Sequence, residues 1–437
     1  MTDEQVPVKG QTPTPKEPGQ PGTVPVAPPS KASTLLREIA TGGALVSVLA
    51  VVLALVASGI LIALTNDDVK TATGYFFSRP GDTFAAIWKA VSGAYVALFQ
   101  GSVYNFRKED FASGIRPLTE TLTFATPLIG AGLGSALAFR VGLFNIGGRG
   151  QMLMAAAAAA YVGFTFHLPP VVGLLLALIA GLIAGAIWGG LVGLLKARTG
   201  AHEVIVTIML NYVAYYFISF LLRTPGALQA PGSNNPKSPP IDANAAYPPL
   251  LGDRYNLDIG FIFVIIATAF VWYLLNRSNL GFKFRAVGEN PNAARVAGIN
   301  VKNVYVWAML LSGGLIALAG VQQALGTFPS GFSSGVDAGI GFDAITVALL
   351  GRSRPIGVFF AGILFGALKA GGYAMQASQN VPIDIVLVIQ SLIVLFIAAP
   401  PLVRSIFRLP NPGIPLAPRR PSSPQKPQKK EEAVVAK

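Results

Sequence analysis

A chain of 437 residues that is 52% hydrophobic and 12% charged falls well short of the roughly 25% charged residues of soluble domains, which excludes an ordinary water-soluble enzyme. It has no cysteine and two histidines, which excludes disulfides, thiolate metal sites and thiol catalysis and leaves too little for a multi-histidine metal centre. The net charge of +13 would suit nucleic acid, but the basic residues gather at the ends of apolar runs and in the tails, where they set membrane orientation instead.

In chain order, residues 1–34 are rich in Pro, Gly, Thr and Lys without apolar periodicity, and read as a disordered tail. The first apolar run, Gly42–Leu64, comes too late and is too long for a signal peptide, and it opens a transmembrane domain over 35–408. Residues 65–116 form an extracytoplasmic connection. In it Phe84, Ile87, Trp88, Val91, Tyr95 and Leu98 recur at helical spacing, as in a helix lying at the lipid interface. Further spans are expected at Leu118–Ala138, Gln151–Phe166, Val171–Leu195, Glu203–Leu222, Ile259–Leu275, Val304–Leu325, Ile340–Leu350, Ile356–Met375 and Ile383–Val403. That makes an all-α polytopic membrane protein of about ten transmembrane helices. The run at 340–350 is too short to cross alone and is expected to be broken or re-entrant. Residues 409–437 form a disordered, basic, Pro/Lys-rich tail that can touch anionic membrane lipid.

Charge orients this chain. With the N-terminus in the cytoplasm, Arg140 and Arg149, Lys196 and Arg198, the loop 277–302, Arg352 and Arg354, and finally Arg404 and Arg408 all fall inside. The short connections at 167–170, 326–339 and 376–382 hold neither Lys nor Arg. Both termini are therefore expected to be cytoplasmic.

The loop 277–302 carries the most structured polar stretch. Asn290 can cap a helix that Pro291 begins, Ala293, Ala294 and Arg295 continue, and Gly298 ends. Lys283, Arg285, Arg295 and Lys302 make it basic, with Glu289 opposing them. A bland loop needs no capped helix; a docking knob does. Elsewhere Gly181, Gly185, Gly189 and Gly193 fall every fourth residue, and Gly130 with Gly134 and Gly362 with Gly366 repeat the spacing. Such faces are expected to pack helices closely within one subunit, ahead of serving a sliding or dimerising seam.

Chemistry is sparse. There is no G-x-x-x-x-G-K-[ST], H-E-x-x-H or G-x-S-x-G and no acidic cluster, so neither nucleotide binding nor catalysis is expected on this chain. Lys369, Asp343, Asp384 and Glu120 are placed near span ends, which argues against an ion-coupled carrier. The better clues are uncharged: Asn145, Gln151, Asn211, Tyr212, Gln322 and Gln390. As a set they suit the path of a neutral, polyhydroxylated solute. Singly, each is more often a helix–helix bond worth about 0.6 kcal/mol.

The blocks FRVGLFNIGGRGQML, HEVIVTIMLNY, GFKFRAVGENPNAARVAGI, LSGGLIALAG and GFDAITVALLGRSRPIGV, in that order over about 118–403, resemble the signatures of bacterial ABC importer permeases. The family is that of the branched-chain amino acid and ribose permeases, and the subgroup is the nucleoside (simple sugar) permeases. The resemblance implies an ABC importer permease fold in the bacterial inner membrane. It implies a second, similar permease subunit, a cytoplasmic ATPase that binds ATP and Mg, and an extracytoplasmic substrate-binding lipoprotein. It also implies that the helix around Asn290 docks into the ATPase. The cargo it implies is a nucleoside, with ribose or another simple sugar as the alternative; an autonomous carrier or channel is the alternative of another class. The family often has an acidic residue in the FNIGG-x-GQ block where this chain has Arg149. A cytoplasmic span end would account for that arginine.

Overall fold

The computed structural model describes residues 43–409, and the tails expected at 1–34 and beyond 409 lie outside them. The compact unit is Val46–Arg408. Its elements are α1 (Gly43–Thr65), α2 (Asp67–Thr73), α3 (Pro80–Ser102), α4 (Phe111–Gly114), α5 (Arg116–Arg140), α6 (Gly148–Thr165), α7 (Val172–Thr199), α8 (Glu203–Leu221) and α9 (Gly260–Arg277). They continue as α10 (Asn279–Glu289), α11 (Pro291–Val296), α12 (Val301–Val321) with a π-helical extension (Gln322–Thr327), α13 (Ile340–Leu350), α14 (Pro355–Gln379), α15 (Ile383–Ala398) and α16 (Pro400–Ile406). Among the described residues seven helices are long and apolar enough to cross a membrane, and the bent pair α15–α16 makes at most an eighth.

The two remaining expected spans, Gln151–Phe166 and Ile340–Leu350, correspond to α6 and α13, which are not among those seven; α13 has only 11 residues. Gly142, at φ +76°, turns the chain back after α5. Residues 142–147 then climb between neighbouring helices before α6 begins, with Gly147 N donating to Asn145 Oδ1 at 2.9 Å. Gly150 N donates to Asn211 Oδ1 at 2.8 Å, which places the start of α6 beside the middle of α8. α13 is launched in the same way, from an irregular segment ending in the left-handed pair Ala338 and Gly339. The N-termini of α6 and α13 meet: a Cβ on Gly148 would lie 2.8 Å from Gly341 O, and one on Gly341 2.5 Å from Arg149 N. From that junction the two helices leave in opposite directions. α6 runs to Gly163, beside Ile241 of the α8–α9 connection, and α13 runs to Val347, beside Gly132 of α5. Non-helical backbone at such depth is tolerated because protein surrounds it.

Around the junction the units α5–α6–α7 and α12–α13–α14 share one plan in opposite sense. α5 and α12 lie antiparallel, with Gly134 against Ser312 and Gly130 against Leu318. The third helix of each unit packs on the first helix of the other through glycine. A Cβ on Gly185 would come 2.6 Å from Ala317 Cβ, and one on Gly189 2.6 Å from Met309 O; Gly181 faces Val321 and Gly193 faces Tyr305, all on α12. Gly362 and Gly366 of α14 meet Ile129 and Thr121 of α5 in the same manner. All these contacts lie within one subunit. Bare backbone faces let helices approach where lipid supplies no hydrophobic drive to press them together. The expected interfacial helix, α3, packs on α14, with Gly371 against Leu98, and Tyr95 donates its hydroxyl to Leu55 O of α1.

Candidate translocation site

Three of the amides expected along a path form one knot instead of an open row. Asn145 and Gln151 exchange reciprocal amide bonds of 3.2 and 3.3 Å. Asn145 Nδ2 also donates to Ser312 Oγ at 2.9 Å, and Ser312 in turn donates to Gly134 O at 2.7 Å. Asn211 Nδ2 donates to Ile146 O at 2.9 Å while its Oδ1 holds Gly150 N. These groups are buried, and their hydrogen-bonding capacity is largely used in tying α5, α6, α8 and α12 together at the foot of α6. Tyr212, on the same helix as Asn211, points outward and is exposed.

Gln322 and Gln390 lie elsewhere. Gln322 opens the π-helical extension and donates from Nε2 to Asp258 Oδ2 at 2.7 Å, while its Oε1 is buried without a partner. Asp258 also accepts from Gly260 N at 2.9 Å. Burial outweighs these bonds and pushes its carboxyl up to about 6. The buried Tyr247 hydroxyl is pushed up as well, by desolvation and then by the Asp258 charge. Gln390 is buried in α15 with its Nε2 unpartnered.

Charge inside the bundle is what the sequence reading placed wrongly. Arg149 is no span-end arginine. It stands at the α6–α13 junction, its Nε 3.2 Å from Asp337 Oδ1 and its guanidinium 4.5 Å from the centre of the Tyr215 ring. Lys369 lies inside α14, and its Nζ is 2.6 Å from Asp343 Oδ2 on α13. Its side chain is 18% exposed and that of Asp343 is 23%, so the pair borders an accessible face where Phe342 and Tyr373 are also exposed. Lys369 breaks the apolar run 356–375, and an ionisable residue in such a run is itself the signal for a functional position. Beyond Lys369 a cleft of about 550 Å³ opens between α3, α5 and α14, lined by Arg107, Arg116, Glu120 and Tyr373 among others. The ring of Tyr373 stacks on Phe124 there, 5.6 Å between centroids.

The helix expected at Asn290 is present as α11. Asn290 Oδ1 accepts from Asn292 N at 3.0 Å and Ala293 N at 3.1 Å, and Pro291 starts the helix. Gly298, at φ +81°, closes it: Gly298 N donates to Arg295 O and Ile299 N to Ala294 O, both at 3.0 Å. That is a Schellman closure. Ala294 is buried and anchors the helix, whereas Glu289, Ala293 and Arg295 are exposed. The residue that sequence reasoning missed is Val296, 92% exposed at the tip.

Helices whose N-termini meet beside an ion pair inside a helical bundle suit a solute permease. The chain belongs to the family described as branched-chain amino acid transport system / permease component, whose model matches residues 118–398. It is 34% identical over 359 residues to the guanosine ABC transporter permease protein NupP of Bacillus subtilis, covering 81% of this chain and 93% of that one. It is 35% identical over 289 residues to the nucleoside ABC transporter permease protein NupB of Lactococcus lactis, covering 65% and 79%. A glucose ABC transporter permease protein of Haloferax volcanii is 35% identical over 289 residues, covering 64% and 75%. No solved structure gives a significant match. The protein is accordingly a multi-pass membrane protein and a permease component of an ABC transporter.

Proposed function

We propose that this protein is the nucleoside-conducting permease subunit of an ATP-driven importer. The observation that carries the coupling to ATP is α11, a doubly capped helix that presents Val296 and Arg295 outward between two spans. In this reading α11 faces the cytoplasm and inserts into an ATPase partner, which binds ATP and Mg; the permease itself catalyses nothing and holds no cofactor. Both termini are cytoplasmic, and α1, α5–α9 and α12–α15 give ten crossings, with α6 and α13 each completed by the irregular chain before it. A second, similar permease subunit and an extracytoplasmic substrate-binding lipoprotein complete the assembly.

The nucleoside cargo rests on the printed functions of the relatives in Bacillus and Lactococcus. A nucleoside has a face for aromatic stacking and several hydroxyls, and the accessible face beside Tyr373, Lys369 and Asp343 offers both an aromatic ring and polar partners. A simple sugar is the second reading, favoured by the Haloferax relative. Uptake of labelled uridine and guanosine, with and without the gene and with excess ribose or glucose as competitor, tests both. Loss of uptake on deletion without sugar competition supports the nucleoside; unchanged nucleoside uptake with loss of sugar uptake supports the second reading. Uptake that persists when the ATPase partner is deleted would instead make the protein an autonomous carrier.

A further inference from the structure

At the α11 end of the bundle, away from α11 itself, a cavity of about 610 Å³ lies where α5, α9, α10 and α14 converge. Three arginines line it: Arg140 from the end of α5, Arg285 from α10 and Arg354 just before α14. They stand close enough for their charges to oppose one another. Like charges brought together in a partly buried site are unfavourable unless an anion joins them. Among the described residues none of the three pairs with a carboxylate. Arg140 Nε donates to Ser353 O at 2.9 Å and Arg285 Nη1 to Leu275 O. Those bonds fix both guanidinium groups and leave their other N–H donors available.

Apart from Asn276, the rest of the wall is apolar, and part of it faces outward. Trp272 on α9 and Ile356 on α14 are 42% and 54% exposed, and Tyr273 and Phe360 continue the exposed apolar surface along the same two spans. A fixed cluster of guanidinium groups at the span ends, beneath an apolar furrow, matches a phosphate head with acyl chains above it. The geometry points to a binding site for an anionic phospholipid, whose headgroup phosphate is held by Arg140, Arg285 and Arg354 and whose chain lies along Trp272 and Ile356. Placing it in the cytoplasmic leaflet rests on the orientation proposed above; binding of the headgroup does not.

Trp272 makes the site readable. The full-length protein is reconstituted with brominated phosphatidylglycerol or brominated phosphatidylcholine, and quenching of its fluorescence is compared with that of Trp272→Phe to isolate the local signal. The expected result is quenching by phosphatidylglycerol at a much lower mole fraction than by phosphatidylcholine, about fivefold per arginine. Arg354→Gln, an exposed and fold-neutral change, weakens that preference, and Arg285→Gln with Arg354→Gln removes most of it. Equal quenching by the two lipids, or a preference unchanged in the double variant, overturns the proposal. Loss of the preference in millimolar inorganic phosphate, with no matching loss in chloride of the same ionic strength, assigns the cluster to a free phosphate and overturns the lipid. If the added ATPase partner abolishes the preference in wild type, the cluster belongs to that interface instead. None of these outcomes depends on the cargo or on uptake.

Discussion

The α6–α13 junction and the α11 helix are both short stretches, yet they are built in opposite ways. α11 is local: its N-cap, first-turn proline and closing glycine all lie within Asn290–Ile299, and each bond is made to a residue a few positions away. The junction is non-local. Gly148 meets Gly341, Arg149 meets Asp337, and Asp343 meets Lys369. A local motif tolerates damage because its neighbours still fold. A junction between helices distant in sequence has no such reserve, since every partner is placed by the others.

The largest effect is expected at the junction itself. Gly341→Leu drives a side chain into the backbone of Arg149, and backbone cannot yield as a flexible side chain does. A loss of about 3 kcal/mol or more is expected, read as collapse of monodisperse protein in detergent and of its thermal transition. Normal folding of that variant would remove the close approach of α6 and α13. Next comes the interior ion pair. Lys369→Met leaves Asp343 unpaired, and Asp343→Leu does the converse, so each single variant should be less stable than the double. A double-variant cycle should give a coupling of about 1–3 kcal/mol, and a coupling near zero would reduce the pair to a surface contact.

Asp258 offers a third test through pH. Its carboxyl titrates near 6 in the folded protein but near 3.9 in an unfolded chain. The folded state therefore takes up its proton first as pH falls, and this group adds stability between about pH 6 and pH 4, amounting to about 1–3 kcal/mol. Above pH 6 that gain is absent. Asp258→Asn should flatten this part of the stability–pH curve, while a slope equal to wild type would mean that Asp258 is solvated.

Legibility in the sequence follows the same division. Asn290, Pro291 and Gly298 were readable because caps and stops depend on residues within one turn. The glycine faces of α7 and α14 were readable as close contacts, though not which helices they would meet. Seven of the apolar runs coincide with span-length helices, but hydropathy does not record where helical backbone begins, and the first turn of α6 lies against α8 and α13 inside the bundle. Arg149 and Lys369 were misplaced for one reason: charge near a span was referred to the nearest surface, when a carboxylate more than twenty positions away held it inside. Asn145, Gln151 and Asn211 are interior polar residues, yet no spacing rule reveals that the first two bond to each other and the third to the backbone of Ile146 and Gly150.

The smaller effects lie on α11, and they separate stability from coupling. Gly298→Val places a branched side chain at φ +81°, which costs about 1–2 kcal/mol confined to one exposed turn. The protein should insert and melt nearly as wild type, while uptake driven by the ATPase falls and ATP hydrolysis continues uncoupled. Val296→Asp is the finer probe. Because Val296 is 92% exposed, the change should leave stability within about 0.5 kcal/mol. An apolar anchor that fits a partner's pocket commonly contributes 1 kcal/mol or more to association, so affinity for the ATPase subunit should drop by about fivefold or more. Measured together, an unchanged melting curve with weakened association places Val296 in the contact. Unchanged association would leave α11 a well-capped turn that docks nothing through its tip, and the contact would then have to be sought at Arg295 and Glu289.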